Sequence, residues 1–140
     1  MVDSGVLKTP RIIEAFKNID RKLFVPQVYS DSIYIDGPLP IGKNQTISQP
    51  STVAFMLELL EVKEGDNVLD IGSGSGWSTS LLCDIVGENG SVIGLERFDE
   101  LVAIGQKNLA QFRTTNCHIH KAAQKPVSYT HLTLPTNREV

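Results

Sequence analysis

An α/β fold, built on an incomplete, doubly wound parallel sheet behind an N-terminal helical cap, is what this sequence predicts. Three observations carry the prediction. Short apolar runs at Asn67 to Ile71, Ser91 to Glu96 and Cys117 to Lys121 alternate with stretches of helical spacing, the pattern of a parallel sheet covered by helices. A glycine-rich loop, Gly72 to Gly76, joins the first run to the helix that follows it. Two further helical patterns precede the sheet altogether.

Taken in order, Thr9-Pro10 reads as a helix start, a capping hydroxyl followed by proline at the first helical position. Ile12, Ile13, Phe16 and Ile19 then give one apolar face, and Pro26 ends the element. From Tyr29 to Pro50 the chain is rich in Gly, Pro, Asp and Ser, which predicts a long loop or irregular strand region of the kind that often carries function. Ser48-Gln49-Pro50 opens a second helix, with Val53, Met56, Leu57 and Leu60 on its buried side. After the turn at Gly65-Asp66 come strand Asn67 to Ile71, helix Trp77 to Val86 stopped by Gly87, and strand Ser91 to Glu96. A helix from Asp99 to Phe112 and a strand at Cys117 to Lys121 complete the pattern. The organisation expected is a cap with a substrate loop over 1–66, a partial cofactor-binding half over 67–126, and a tail over 127–140.

Composition narrows the function classes. The 140 residues are 41% hydrophobic and 21% charged, ordinary for a soluble globular chain, with a formal charge of −3 and no basic run. Nucleic acid is therefore not an expected partner, since phosphate binding needs clustered Lys and Arg. The most apolar window, Val53 to Val62, is interrupted by Glu58 and Glu61 and is too short to span a bilayer, so no membrane association is expected. Two cysteines, Cys83 and Cys117, make no disulfide framework, and a reducing, cytoplasmic setting is the simpler expectation.

The chemistry centres on Val68-Leu69-Asp70-Ile71-Gly72-Ser73-Gly74-Ser75-Gly76. Glycines there allow a tight turn and a close ligand, and the helix behind offers free N–H groups and a partial positive charge. A phosphate-cradling NTP loop would need Gly-Lys-Ser/Thr, and no Lys occurs between Asp70 and Val86. A dinucleotide loop would want a small residue where Trp77 stands. S-adenosylmethionine fits the G-x-G-x-G spacing best. Glu96, 20 positions after Gly76 at the end of the next strand, is placed to accept hydrogen bonds from both ribose hydroxyls.

Gly42-Lys43-Asn44-Gln45-Thr46-Ile47-Ser48-Gln49-Pro50, upstream of VLDIGSGSGW, resembles the protein-L-isoaspartate O-methyltransferase family. Phe24-Val25-Pro26, the stretch Tyr34-Ile35-Asp36-Gly37-Pro38-Leu39-Pro40, and Val92-Ile93-Gly94-Leu95-Glu96 extend the resemblance over roughly Thr9 to Gln111. It implies a Rossmann-like, S-adenosylmethionine-dependent methyltransferase fold. It also implies methyl transfer to the carboxylate of L-isoaspartyl residues in damaged proteins and peptides, a repair reaction. By position it makes Ser48 the active-site serine, Thr46 and Ile47 the flanking substrate-binding residues, and Asp70, Gly72, Ser73, Gly74, Gly76 and Glu96 the cofactor-binding set.

The same resemblance implies a longer chain, with further strands beyond the third, so impaired turnover and an unpaired first-strand edge are expected. The family's Gly-Asp-Gly falls near His120 to Ala123, which read His-Lys-Ala-Ala here, and the segment from Val127 has no family counterpart. Methyl transfer to another acceptor, or cofactor binding without catalysis, are the alternative readings. Cys117, His118 and His120 lie close together, but on a strand the two histidines share a face that Cys117 does not, so no metal site is expected. Trp77 is read as a packing residue at its helix start, and Cys83 as core.

Overall fold

The computed structural model describes residues 1–112, 115–123 and 137–139. Helix α1 spans Pro10–Asn18, and two 3-10 turns follow at Arg21–Phe24 and Gln27–Ser32. Strands β1 (Leu39–Gly42) and β2 (Gln45–Ile47) form an antiparallel hairpin ahead of helix α2, Pro50–Leu60. The α/β half runs β3 (Asn67–Ile71), α3 (Trp77–Val86), β4 (Ser91–Glu96), α4 (Asp99–Leu109) and β5 (Cys117–Lys121), with β6 at Asn137–Glu139.

These last four strands make one parallel sheet in the order β5-β4-β3-β6. The chain leaves β3 toward β4 and β5 on one side and returns to β6 on the other, so the order reverses at β3. In open α/β sheets a ligand crevice opens outside the strand ends at such a point. The glycine loop lies there, directly after Ile71.

One face of the sheet carries Val68, Val92, Cys117 and Ile119, all buried beneath α3 and α4. A single apolar cluster continues from them through Leu81, Leu82 and Ile85 of α3 to Ile12, Ala15 and Ile19 around α1. Helix α3 is thus buried on most of its sides. It is the central helix, covered by the sheet beneath and by α1 above.

Several local expectations are corrected. The edge of β3 is not unpaired: β6 lies beside it, with Val68 opposite Arg138, because free strand amides and carbonyls recruit a neighbouring strand. Cys83 and Cys117 are joined in a disulfide, their Cα atoms 6.2 Å apart. Both point into the single layer between α3 and β5, a proximity created by packing across 34 residues of chain. Within the Tyr29 to Pro50 region the hairpin turns on Lys43 and Asn44, both at positive φ, the backbone of a two-residue turn that matches strand twist. Helix α1 stops at Asn18, well before Pro26. In α2 the buried positions are Ala54 and Leu57, while Met56 is half exposed.

The start of α1 is held differently from the sequence expectation. Thr9 is the N-cap but its hydroxyl makes no bond into its own helix. It donates instead to Glu58 Oε2 (2.6 Å), while Glu58 Oε1 accepts the backbone N–H groups of Lys8 (2.7 Å) and Thr9 (2.8 Å). One carboxylate on α2 therefore gathers the chain entering α1. Glu58→Ala should cost about 2 kcal/mol in urea unfolding, because it strips partners from two amides and a hydroxyl together. Thr9→Ala removes a single bond and should cost about 1 kcal/mol or less. The reverse ranking would return the role to a local cap.

Candidate functional site

The site begins where β3 runs out. Asp70 is buried, 2% exposed, and its Oδ2 accepts from Ser78 Oγ (2.6 Å) and Thr79 Oγ1 (2.7 Å) in the first turn of α3. Strand end and helix start are thereby pinned to one carboxylate. Burial pushes the Asp70 carboxyl up to about 6, against the opposing pull of the two hydroxyl donors.

Between these anchors the loop turns tightly. Gly72 and Ser73 both donate to the Leu95 carbonyl of β4, at 2.8 and 3.0 Å, and Gly76 donates to Ser73 at 2.9 Å. Gly76 takes φ 95° as the cap of α3, and a Cβ on it would stand 3.1 Å from the Gly105 carbonyl of α4. Glycine is required there for both conformation and space. From α4, Asn108 Nδ2 also reaches the Ser75 carbonyl at 2.9 Å.

Glu96 closes the far side. It is 5% exposed, with Oε1 accepting from Gly74 N–H (3.0 Å) and Oε2 from Phe98 N–H (2.9 Å). A carboxylate has about four acceptor sites, so each oxygen retains capacity for another donor.

The hairpin and the start of α2 supply the opposite wall. Thr46, Ile47 and Ser48 meet Gly72, Ser73 and Gly74 across a pocket of about 70 Å³, with Ile41, Val53, Ser75, Trp77 and Ser78 completing it. That is room for two or three water-sized groups. The chain also has a much larger cavity, about 830 Å³, among Met1, Phe16, Arg21, Tyr34 and Trp77. Size alone would favour that cavity; the glycine loop and the residues of the QTISQP segment face the smaller one.

Of the nine site residues read from sequence, Thr46, Ile47, Ser48, Gly72, Ser73 and Gly74 share this pocket. Asp70, Gly76 and Glu96 stand behind the loop and hold it. Ser48 is not the cap of α2, which is Gln49, and its hydroxyl bonds to no described residue. Ser73 Oγ, Ser75 Oγ and Trp77 Nε1 are buried without a partner. Trp77 packs as expected, 3% exposed and edge-on to Phe16 at 5.8 Å.

Sequence reasoning passed over three residues. Asn108 and Arg21 act through contacts distant in the chain. Gly94 on β4 is the third: a Cβ there would meet Thr79 Oγ1 at 2.7 Å and Ser73 Cβ at 3.0 Å, so only glycine lets the loop sit on the sheet. Its position beneath Thr79 is visible only once β3 and β4 are in register. His118 and His120 do share the exposed face of β5, rings 6.0 Å apart, while Cys117 is turned into the disulfide. At His120 to Ala123, Lys121 pairs with Asp99 at 2.9 Å and Ala122 N–H donates to the Glu96 carbonyl at 2.8 Å.

Comparisons with known proteins show the family and the fold. The family model for protein-L-isoaspartate(D-aspartate) O-methyltransferase (PCMT) matches residues 1–125. A protein-L-isoaspartate O-methyltransferase of Fervidobacterium nodosum is 50% identical over 99 residues, covering 71% of this chain and 50% of its own. That of Pyrococcus horikoshii is 42% identical over 115 residues, covering 82% and 51%. A solved protein-L-isoaspartate O-methyltransferase superposes with TM-score 0.74 at 28% identity, over 86% of this chain and 39% of the other. A Plasmodium falciparum structure, described as a candidate member in complex with S-adenosyl-L-homocysteine, gives 0.73 at 28% identity, over 85% and 58%. The chain spans about half the length of the curated relatives it matches.

The buried Asp70 yields a test of the site's electrostatics. Its folded-state value lies above that of an unfolded aspartate, so the native state holds the proton more tightly. The stability this supplies is full below about pH 4 and is lost as pH rises through about 6. Between about pH 4 and about pH 8, the wild-type chain should lose on the order of 2 kcal/mol more stability than Asp70→Asn. Urea midpoints across that range read the difference; parallel profiles would mean that Asp70 is ionised at little cost.

Proposed function

The chain belongs to the protein-L-isoaspartate(D-aspartate) O-methyltransferase family, and we propose that its small pocket brings a methyl donor to an isoaspartyl carboxylate. The single observation that carries this reading is the apposition of Ser48 and the glycine loop across about 70 Å³. S-adenosylmethionine is the proposed donor: about 70 Å³ takes only its reacting end, beside Gly72, Ser73 and Gly74. Glu96, outside that volume, would hold the ribose, and Asp70 and Gly76 keep the loop in shape. The residues fit it: Ser73 and Ser75 hold buried hydroxyls without partners, and Glu96 has spare acceptor capacity for a ribose diol. When bound, it supplies a methyl group activated by a sulfonium charge.

The chain's own contribution follows from the chemistry of the acceptor. A carboxylate is ionised at neutral pH and needs no general base, which suits a pocket lined by no histidine or lysine. Ser48 donates its free hydroxyl to one carboxylate oxygen and leaves the other directed at the methyl group. Thr46 and Ile47, on the adjoining strand, support the peptide. Opposite charges meet and diminish in the reaction, so excluding water and fixing the approach provide most of the acceleration.

The remaining assignments are proposals of the same standing. Residues 1–66 form the cap and substrate loop, 67–126 the cofactor half, and 127–140 a tail outside the family pattern, of which 127–136 and 140 lie outside the described residues. Among the described residues no helix is long and apolar enough to cross a membrane. An acidic, low-cysteine composition supports a cytoplasmic setting, where the Cys83–Cys117 link would open and leave both thiols in the same core layer. Isoaspartyl-containing proteins and peptides are the proposed partners.

Labelled S-adenosylmethionine with an isoaspartyl peptide, against the aspartyl peptide as control, tests the reading. Label should enter the isoaspartyl peptide alone. Ser48→Ala should lower transfer roughly 10- to 100-fold, the worth of one hydrogen bond to a charged group, and change S-adenosylhomocysteine affinity less than about twofold. Label in both peptides, or equal loss of binding and transfer in Ser48→Ala, would overturn it.

A further inference from the structure

Arg21 is the charged side chain that the proposed reaction leaves unexplained. It is 5% exposed, and among the described residues it forms no ion pair. Burial lowers its pKa, with Asp36 nearby opposing the shift, but a guanidinium stays protonated in any protein environment. A buried cation without a directly paired anion is a costly way to fill space, and an apolar residue of similar volume would pack more cheaply.

What the guanidinium gains is reach. Nη1 donates to the Ile33 carbonyl at 2.8 Å, and Nη2 to the Gly37 carbonyl at 2.8 Å and the Ser48 carbonyl at 3.1 Å. Its Cζ lies 5.4 Å from the centroid of the Trp77 ring, a cation–π distance. One planar fork therefore ties together the 33–37 segment, the backbone of Ser48 and the first residue of α3. A second clamp fixes the same segment to the start of α2, just after Ser48: Asp36 accepts Ser51 N–H at 2.9 Å and Ser51 Oγ at 2.6 Å. Within this frame the Ser48 carbonyl is held and its hydroxyl is left free.

We propose that Arg21 is a positioning residue for methyl transfer: through the Ser48 carbonyl it fixes the backbone that presents the Ser48 hydroxyl, and through Trp77 it aligns that backbone with the glycine loop. The inference rests on the acceptor role given to Ser48 above. Arg21 does not line the pocket itself and reaches it only through Ser48 and Trp77. Its loss should loosen the acceptor wall while Gly72 to Gly76, held by Leu95, Glu96 and Asn108, keep their arrangement. Lysine preserves the charge and the stem but, as a single ammonium, does not reproduce a fork directed at three carbonyls.

The test uses the 140-residue chain and calorimetry, with S-adenosylhomocysteine as one ligand and an isoaspartyl peptide, titrated in its presence, as the other. Arg21→Lys should weaken the peptide roughly tenfold while changing S-adenosylhomocysteine affinity less than about twofold. Amide exchange should quicken over residues 46–49 and stay unchanged over 72–76. Ser51→Ala, at the exposed clamp, should weaken the peptide about threefold with the same selectivity. Unchanged peptide affinity in a folded Arg21→Lys chain, or equal loss of both ligands, overturns the inference. If Arg21→Lys loses amide protection throughout, Ser51→Ala decides: no selective loss of peptide there overturns it equally. A wild-type chain that binds S-adenosylhomocysteine but does not prefer the isoaspartyl over the aspartyl peptide defeats the acceptor reading itself, and the Arg21 inference with it.

Discussion

Everything at the site depends on where the Asp70 carboxylate is put. It sits buried at the end of β3, where its Oδ2 accepts from the hydroxyls of Ser78 and Thr79. That contact fixes how far α3 stands from β3 and in what rotation, and the five residues between must turn within that span. The left-handed backbone at Gly72, Gly74 and Gly76 is the consequence. Gly94 beneath Thr79 and Gly105 beside Gly76 are the same constraint seen from the neighbouring elements, since side chains there would force the loop off the sheet. The two hydroxyls favour the charged carboxylate and burial favours the protonated one; burial wins, so proton affinity is raised and stability falls as the group ionises.

The cap half is tied to this frame by polar contacts made at long range. Glu58 on α2 gathers the entry to α1, and Asp36 gathers the start of α2. Arg21 joins the Gly37 and Ser48 carbonyls, ahead of α2, to Trp77. Apolar packing between α1 and α3 brings the two halves together, but it is tolerant of small slides. The hydrogen bonds supply the direction that fixes where Thr46, Ile47 and Ser48 stand against the loop.

These two layers explain what could be read from the sequence. β3, α3, β4 and β5 are found at the residues expected, because each is announced by a local signal: an apolar run, a glycine stop, a turn. The pairing of the glycine loop with the QTISQP segment was also visible, as two motifs whose meeting the fold then provides. Thr9 was misread because a capping hydroxyl is a local rule, and a carboxylate 49 residues away outbid it. The inward face of α2 was misjudged at Met56 because two faces of that helix are apolar and only the partner surface chooses between them. Cys83 and Cys117, Gly94, Asn108 and Arg21 carry no local signature at all; their roles exist only in the packed chain.

The distribution of unsatisfied polar groups gives the last step. Buried side-chain atoms without partners, among the described residues, are Arg21 Nε, Ser73 Oγ, Ser75 Oγ, Trp77 Nε1 and Ser80 Oγ. Four belong to the glycine loop or to α3 just behind it, and the fifth belongs to the side chain stacked on Trp77. Buried orphans each cost on the order of 1–3 kcal/mol, and folded chains carry few of them. Scattered, they would be ordinary imperfections of packing. Gathered around the glycine loop and α3, they mark where local stability yields to another demand, and conflicts of that kind gather at functional sites. A ligand that supplied donors and acceptors to Ser73 and Ser75 would recover part of that cost on binding. The loop would then be most stable when filled, which is the physical condition for a binding site rather than a turn.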